Sequence, residues 1–238
     1  LDSFRHFNDV DQPLDEALER LEDIGTRTSS TNYPWGWAQV GNTPGKRYKQ
    51  NTHSGGIRDP LIISWPGGID AVTQGQVRPQ FHHVIDLAPT LLEPVGVVAP
   101  DEIAGVAQQP IEGTSLSYTF QPGAEDATAV PTRKERQYFE MFGHRAIWAD
   151  GWKAVAFHRP ETSLDDDVWE LYHLDEDFSE CNDLVADQPE RLADLVQMFW
   201  EEAERYQVLP IMDQSKALFA GHHTAGTPRA RDRFVYLP

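Results

Sequence analysis

Five side chains that can carry a positive charge lie between positions 46 and 58 of an otherwise acidic chain. They are Lys46, Arg47, Lys49, His53 and Arg58. Glycines at 41, 45, 55 and 56 lie among them and allow sharp turns or a close approach of the backbone to a ligand. In α/β proteins, a donor-rich loop that leads into a core strand is a common place to bind an anion. The same residues could form a solvated surface loop, and composition favours neither alternative.

The loop is expected to lie between a helix and a strand. Residues 61–65 form an apolar run closed by Pro66, which predicts a buried strand. Residues 13–24 place leucine, alanine and isoleucine at helical spacing, which predicts a helix that packs through one face. Pro13 suits its first turn, and Gly25 suits its end.

A second helix is predicted within residues 81–97, with Asp86 as its cap. Its predicted inward-facing residues are Leu87, Thr90 and Leu91. The adjacent His82 and His83 suggest a metal site, but neighbouring side chains of an extended strand point to opposite faces. Since no further ligand cluster lies at metal spacing, we disfavour that site, and also one at the later pair at 222 and 223.

The second half of the chain predicts a sheet with a helix on it. Short strands are expected at 137–142, 145–149, 153–157 and 169–174, and the Asp150-Gly151 pair signals a hairpin. From residue 189 to about 206, an apolar stripe predicts a helix whose exposed face carries Glu201, Glu202 and Glu204. A helix on an antiparallel sheet can bury its own core. The stretch 121–132 is the best internal boundary.

The composition excludes several classes of protein and of site. The formal net charge of −18 argues against a nucleic-acid partner, which needs a basic face. The one cysteine, Cys181, excludes an internal disulfide and a site of several thiolates. No apolar run approaches the roughly 20 residues of a membrane helix, so we expect no membrane span. No signal-peptide pattern is visible at the start, and the compartment is not predicted.

Several runs occur in the order in which one enzyme family has them. Lys49 stands seven residues before Gly56 of a Gly-Gly-Ile-Arg-x-Pro run, which an apolar run ending in Trp-Pro-Gly follows. HVIDLAPTLL from position 83, YFEMFG from 138, DGWK from 150 and WELYHLD from 169 fit the same template. Together they resemble the C-terminal half of the sulfatases. The YPWGWA and GNTP runs from positions 33 and 41 are most similar to the bacterial arylsulfatases.

The resemblance implies a sulfuric ester hydrolase of the alkaline-phosphatase-like superfamily. In that family, the Cys or Ser of a Cys/Ser-x-Pro-x-Arg motif becomes formylglycine, whose hydrated aldehyde attacks sulfur while Ca²⁺ binds the sulfate. Lysines and histidines neutralise the oxygens on which charge builds in the transition state. The implied cofactors are therefore Ca²⁺ and formylglycine, and the implied substrate is a small-molecule or saccharide sulfate ester.

The nucleophile motif of the family does not occur in this sequence. Cys181 is followed by Asn-Asp-Leu-Val, and no serine begins the motif. We therefore expect the C-terminal portion of a sulfatase, without metal ligands and inactive alone, whose partner is the missing N-terminal part of the same protein. Lys49 is the predicted catalytic and substrate-binding cation, and His53 is predicted at the rim of the same pocket. The alternative for Lys49 is an ordinary surface lysine.

The fold class implied by the resemblance is α/β and alkaline-phosphatase-like. Residues 1–120 are expected to form the edge of a large mixed sheet, and residues 133–212 a smaller domain of four antiparallel strands with a packed helix. Residues 213–238 are expected to be an irregular tail. Two other functions stay open: a phosphonate monoester hydrolase or phosphodiesterase of the same superfamily, and a non-catalytic interaction module. Such a module would fold alone, whereas a fragment should expose an apolar sheet edge.

Overall fold

A four-stranded antiparallel sheet forms the centre of the fold. A computed structural model describes residues 13–29, 33–120, 127–160 and 162–212. Its helices are α1 (Leu14–Glu19), α2 (Trp35–Asn42), α3 (Ser54–Ile57), α4 (Leu87–Leu92) and α5 (Pro189–Arg205). Its strands are β1 (Glu102–Ile103), β2 (Val106–Ala107), β3 (Arg136–Met141), β4 (His144–Ala149), β5 (Trp152–Ala156) and β6 (Trp169–His173). Single 3-10 turns lie at Leu21–Asp23, Ala71–Thr73, Val84–Asp86, Ser117–Thr119, Ala127–Ala129 and Leu164–Asp166.

Strands β3 to β6 pair in chain order, each antiparallel to its neighbour. The first two connections are the two-residue turns Phe142-Gly143 and Asp150-Gly151, in which every residue has a positive φ. Positive φ at both positions gives a type I′ turn, whose twist matches that of the flanking strands. The predicted four-strand meander and its Asp150-Gly151 hairpin are therefore confirmed.

Helix α5 covers one face of this sheet. Ile147, Ala154 and Leu171 of the three strands β4, β5 and β6 are buried in one cluster with Leu195 and Phe199 of the helix. The helix begins with a proline, whose fixed φ suits a first helical position. The predicted packing of a C-terminal helix on the sheet is confirmed.

Residues from the N-terminal half of the chain cover the face of the sheet opposite α5. Ala146, Val155 and Tyr172 are buried there, and Phe81 stacks on Trp148 with ring centroids 3.8 Å apart. Because both faces are covered, the central strands β4 and β5 are buried along most of their length. Contacts thus cross the predicted division between residues 120 and 133, which itself stays a prediction.

The prediction of a buried strand at residues 61–65 is wrong for the described chain. The segment has no strand pairing, and Leu61, Ile62 and Trp65 are 52%, 91% and 40% exposed. A strand forms only when a neighbour accepts its backbone hydrogen bonds, and the described strands all pair elsewhere.

The first predicted helix forms, but its apolar stripe stays exposed. Residues 13–24 form α1 and the 3-10 turn at Leu21–Asp23. Ala17 is buried, whereas Leu14 and Leu18 are 73% and 53% exposed. The prediction that this stripe packs on the fold is wrong for the described residues, since none of them covers it.

Helix α4 forms within the predicted stretch, and Asp86 occupies its N-cap position, but the Asp86 side chain makes no cap hydrogen bond to the helix. Asp86 is buried and accepts hydrogen bonds from the backbone N–H of His83 at 2.7 Å and of Thr114 at 2.8 Å. It therefore caps the preceding 3-10 turn and not α4 itself. Thr90 faces inward as predicted, whereas Leu91 is 71% exposed.

Glu202 and the hairpin of β1 and β2 also differ from what the sequence predicts. Glu202, predicted on the exposed face of the last helix, is buried, and Arg136 of β3 lies 3.7 Å from its carboxylate. Strands β1 and β2 form a short hairpin that the sequence analysis did not predict. The predicted tail at 213–238, with its histidine pair, lies outside the described residues. Among the described helices, none is long and apolar enough to cross a membrane.

Replacing Phe199 with alanine should open a cavity between α5 and the sheet, where Phe199 is fully buried. The expected loss is about 3–5 kcal/mol in the free energy of unfolding, measured by urea denaturation with circular dichroism. Gln197→Ala, on the exposed side of the same helix, is the control and should change stability by less than about 0.5 kcal/mol. A loss for Phe199→Ala no larger than for the control would contradict the packing.

Candidate functional site

The predicted cationic loop lies against the sheet face opposite α5. We call residues 46–53 the lysine loop, which ends where α3 begins. Lys46 reaches Glu170, Arg47 lies over the Phe157 ring at 3.9 Å, and His53 is fully buried. Lys49, in contrast, is exposed. The fold therefore uses the other cations of the loop as anchors and leaves Lys49 at the surface.

One carboxylate oxygen joins the two ends of the lysine loop. Glu170 Oε2 accepts a hydrogen bond from Lys46 Nζ at 2.7 Å and lies 3.3 Å from His53 Nε2. Tyr172 Oη donates to Glu170 and accepts from Lys46 Nζ at 2.7 Å. Glu170 and Tyr172 alternate with the buried Leu171 on β6, so both lie on the loop side of the sheet.

Burial and hydrogen bonding decide the charge of this cluster. Burial by itself raises the pKa of Glu170, but hydrogen bonds from His53, Lys46 and Tyr172 outweigh it and hold that pKa well below its ordinary range. Burial also lowers the pKa of His53 and raises the pKa of Tyr172. At neutral pH Glu170 is therefore a carboxylate, while burial favours the neutral forms of His53 and Tyr172.

A second carboxylate, which is fully buried, holds the end of the loop. Glu180 accepts hydrogen bonds from Lys153 Nζ at 2.7 Å and from the backbone N–H of Ser54 at 2.9 Å. Thr52 Oγ1 donates to the carbonyl of Arg145 on β4 at 3.1 Å. Burial lowers the pKa of Lys153, while the charge of Glu180 opposes that shift. The start of α3 is therefore attached to the sheet through a fully buried ion pair.

The glycine pair after the loop is required by the loop's own backbone. A Cβ on Gly55 would lie 2.2 Å from the carbonyl oxygen of Arg47, and one on Gly56 would lie 2.0 Å from that of Asn51. The N–H of Gly55 also donates to the carbonyl of Lys46 at 2.8 Å. Of the two uses proposed for these glycines, the structure therefore supports a tight turn packed on itself.

A cleft opens at the base of the loop. It has a volume of 390 Å³, and Asn42, Gly45, Ser54 and Arg58 are among the residues that line it. Lys49 is not among them. The cleft is therefore not a ready-made pocket for an anion bound by that lysine.

The His82-His83 pair belongs to a structural cluster. His82 Nδ1 lies 3.3 Å from Asp86 Oδ2, and its Nε2 lies 3.1 Å from Tyr118 Oη. The His83 ring packs edge-on against Phe139. In the part of the chain that the structure describes, no group of three His, Cys, Asp or Glu side chains could hold a metal ion.

Residues 45–208 match the family model described as N-sulphoglucosamine sulphohydrolase, C-terminal. The match begins beside the lysine loop, ends after α5 and covers more than half of the chain. The chain belongs to this sulfatase family. An uncharacterized sulfatase of Schizosaccharomyces pombe is 30% identical over 183 residues, which are 76% of this chain and 31% of that protein. The N-acetylglucosamine-6-O-sulfatase of Bacteroides thetaiotaomicron is 26% identical over 174 residues, which are 69% of this chain and 28% of that protein.

The sulfatase chain spans about a third of the length of these curated relatives. Among solved structures, Ps i-CgsB in complex with k-i-k-neocarrahexaose superposes with a TM-score of 0.53 at 22% identity, over 75% of this chain and 37% of that one. The α/β, alkaline-phosphatase-like fold class and the resemblance to the C-terminal part of a sulfatase are thereby confirmed. The binding roles of Lys49 and His53 stay predictions.

The sequence did not reveal the side chains that hold the lysine loop in place. Lys153 and Glu170 lie within runs that fit the sulfatase template, and Glu180 follows the last of those runs, but nothing in their spacing assigns them a role. One signal was present: Lys153 and Glu170 are charged residues inside short strands that are otherwise mostly apolar or aromatic. A charge in such a strand needs a buried partner.

Replacing Glu180 with glutamine should leave the buried ammonium group of Lys153 without its counter-charge. Breaking a buried ion pair on one side costs about 3–5 kcal/mol, which denaturant titration would measure. Combining Glu180→Gln with Lys153→Met should recover part of the loss, because no buried charge then remains unpaired. If the double variant loses as much as the two single variants together, the two side chains are not coupled.

Alanine at position 56 should destabilise the chain, since its Cβ would meet the carbonyl oxygen of Asn51 at 2.0 Å. We expect a loss of more than about 2 kcal/mol, seen as a lower melting temperature by scanning fluorimetry. Gly36→Ala is the matched control, because it lies inside α2 with nothing within 4 Å of the added methyl group. It should be neutral or stabilising by up to about 1 kcal/mol. Equal melting temperatures for the two variants would refute the steric argument.

Proposed function

We propose that the protein that carries this chain hydrolyses sulfate esters, and that Lys49 binds the sulfate group. Membership of the sulfatase family over residues 45–208 supports the reaction class, as do relatives that are named sulfatases. The role of Lys49 rests on one observation: its exposed ammonium group is carried by a loop that the partly buried Glu170 and the fully buried Glu180 hold against the sheet. A fixed backbone with an exposed cation is the arrangement that binding an anion requires.

The proposed role follows from the charge that develops during the reaction. Hydrolysis of a sulfate ester concentrates negative charge on the sulfuryl oxygens and on the leaving oxygen, and a fixed cation beside them lowers the barrier. Glu170 is already paired with Lys46, so it does not compete for Lys49. The net charge of −18 disfavours anions at long range, but salt screens that repulsion beyond about 8 Å.

The residues that the structure describes do not fit the cofactors that the sulfatase resemblance implies. Within residues 13–29, 33–120, 127–160 and 162–212, no group of three potential metal ligands exists for Ca²⁺. Cys181 is exposed and lies outside the formylglycine motif. We therefore assign no step of the reaction to either group within this chain and propose that both belong to polypeptide outside it.

That polypeptide is, in this proposal, the N-terminal part of the same protein. The unpaired apolar segment at 61–65 supports it, because strand-forming residues left without a neighbour favour pairing with another segment. The length of the curated relatives, about three times the matched region, supports it too.

The proposed substrate class is a small-molecule or saccharide sulfate ester. One relative is named an N-acetylglucosamine-6-O-sulfatase, and the structural neighbour Ps i-CgsB was solved with k-i-k-neocarrahexaose. Both names denote saccharides, so a sulfated saccharide is the first substrate to test.

Replacing Lys49 with methionine in the full-length protein should lower kcat/KM for para-nitrophenyl sulfate by about 10²–10³-fold, the usual effect of removing one donor to a developing oxyanion. Lys49→Arg should retain part of the activity because it keeps the charge. Arg27→Ala removes an exposed cation from a different segment and should leave kcat/KM unchanged.

Full turnover by Lys49→Met would refute the role of that lysine. Hydrolysis of a phosphonate monoester or a phosphodiester without hydrolysis of any sulfate ester would refute the proposed reaction. The 238-residue chain alone should show no turnover, and measurable activity would mean that its own residues supply the nucleophile.

A further inference from the structure

The backbone of the lysine loop is strained on both sides of Lys49. Arg47 and Gln50 have φ values of 66° and 75°, in the left-handed region that side-chain-bearing residues seldom adopt. Such residues cost energy and persist only where the surrounding structure determines them. Contacts with other side chains must therefore hold the loop in this conformation around Lys49.

Side-chain amides hold the carbonyls around Lys49. Asn42 Nδ2 of α2 donates to the carbonyl of Arg47 at 3.2 Å. Asn51 Nδ2 donates to the carbonyl of Tyr48 at 2.9 Å and approaches that of Lys49 at 3.4 Å. These bonds shape the loop locally, but they do not attach it to the sheet.

Glu170 makes that attachment on both sides of Lys49 at once. Lys46, three residues before Lys49, and His53, four residues after it, meet the same carboxylate oxygen at 2.7 and 3.3 Å. Glu170 lies on β6, which pairs with the buried strand β5. A shift of either end of the loop would break a charge-assisted hydrogen bond in a partly buried site.

We propose that Glu170 is a positioning residue for Lys49: by holding Lys46 and His53 on one oxygen, it keeps the loop in the conformation that presents the Lys49 ammonium to the sulfate group. The inference rests on the proposed sulfatase function, and it assigns Glu170 an action through Lys49 and no contact with substrate. A glutamine at this position has the same shape but lacks the charge. Its amide oxygen therefore accepts hydrogen bonds from Lys46 and His53 more weakly than the carboxylate does.

A double-mutant cycle on the full-length protein tests the inference. Wild type, Glu170→Gln, Lys49→Met and the double variant are compared for kcat/KM with para-nitrophenyl sulfate. Glu170→Gln should lower kcat/KM by about 10- to 100-fold in the wild-type background, the effect of a displaced catalytic group. In the Lys49→Met background it should change kcat/KM by no more than about twofold, because no ammonium group remains to be positioned.

Three further variants separate positioning from loss of fold. Glu202→Gln removes a buried carboxylate on the α5 side of the sheet. It should leave kcat/KM unchanged at temperatures where the protein is folded. Lys46→Met releases the loop at a side chain that is 36% exposed, so it serves if Glu170→Gln does not fold. It should reproduce the same dependence on Lys49, and Lys46→Arg should restore part of the activity.

The outcomes distinguish this inference from the function on which it rests. An equal loss of kcat/KM in both backgrounds would show that Glu170 acts on the fold alone. No loss of kcat/KM in either background would show that Glu170 does not position Lys49. Each of these results overturns the inference and leaves the proposed function intact. Absence of sulfate-ester turnover by the wild-type protein would overturn both. A loss confined to the background that contains Lys49 supports the inference.

Discussion

Two carboxylates, the fully buried Glu180 and the partly buried Glu170, hold the lysine loop against the sheet, and the site depends on them. Glu170 pairs with Lys46, and Glu180 pairs with Lys153 and with the first N–H of α3. Burying a charge costs several kcal/mol unless it is paired and hydrogen-bonded, so each pair tolerates only one arrangement of the chain around it. Replacing such pairs by apolar residues often leaves the stability unchanged, so their main effect is to fix the geometry of the chain. Here they keep Lys49 at the surface while the loop that carries it is immobilised.

The sheet connects this site to the hydrophobic core. Alternation along β6 sends Leu171 toward α5 and sends Glu170 and Tyr172 toward the loop. The same five-residue strand therefore completes the core on one face and anchors the site on the other. Because β6 packs on α5, apolar contacts on that face of the sheet fix the position of the Glu170 carboxylate on the other face. Stability and site geometry are thus coupled through one strand.

Membership of the sulfatase family gives this arrangement a purpose. The matched region begins beside the loop and includes the whole sheet and α5, so the cation and everything that positions it belong to one unit. Among the described residues no group of three side chains could hold a metal ion, and Lys49 does not line the cleft at the base of the loop. The chain spans about a third of the related proteins, and in the proposed function this unit contributes a fixed positive charge to a centre built mainly by polypeptide outside it.

The sequence by itself determined the four-strand meander and the helix from Pro189, and it predicted a role for Lys49 that stays a prediction. The meander and the helix depend on local features, namely the turn at Asp150-Gly151 and the apolar periodicity of the helix, and the lysine follows from a motif shared with the sulfatases. Only the tertiary structure decided what holds the loop, because the partners are far apart in the chain: 124 residues separate Lys46 from Glu170, and 126 separate Ser54 from Glu180. It also decided the state of residues 61–65, since an apolar run becomes a buried strand only when a neighbouring strand completes its backbone hydrogen bonds.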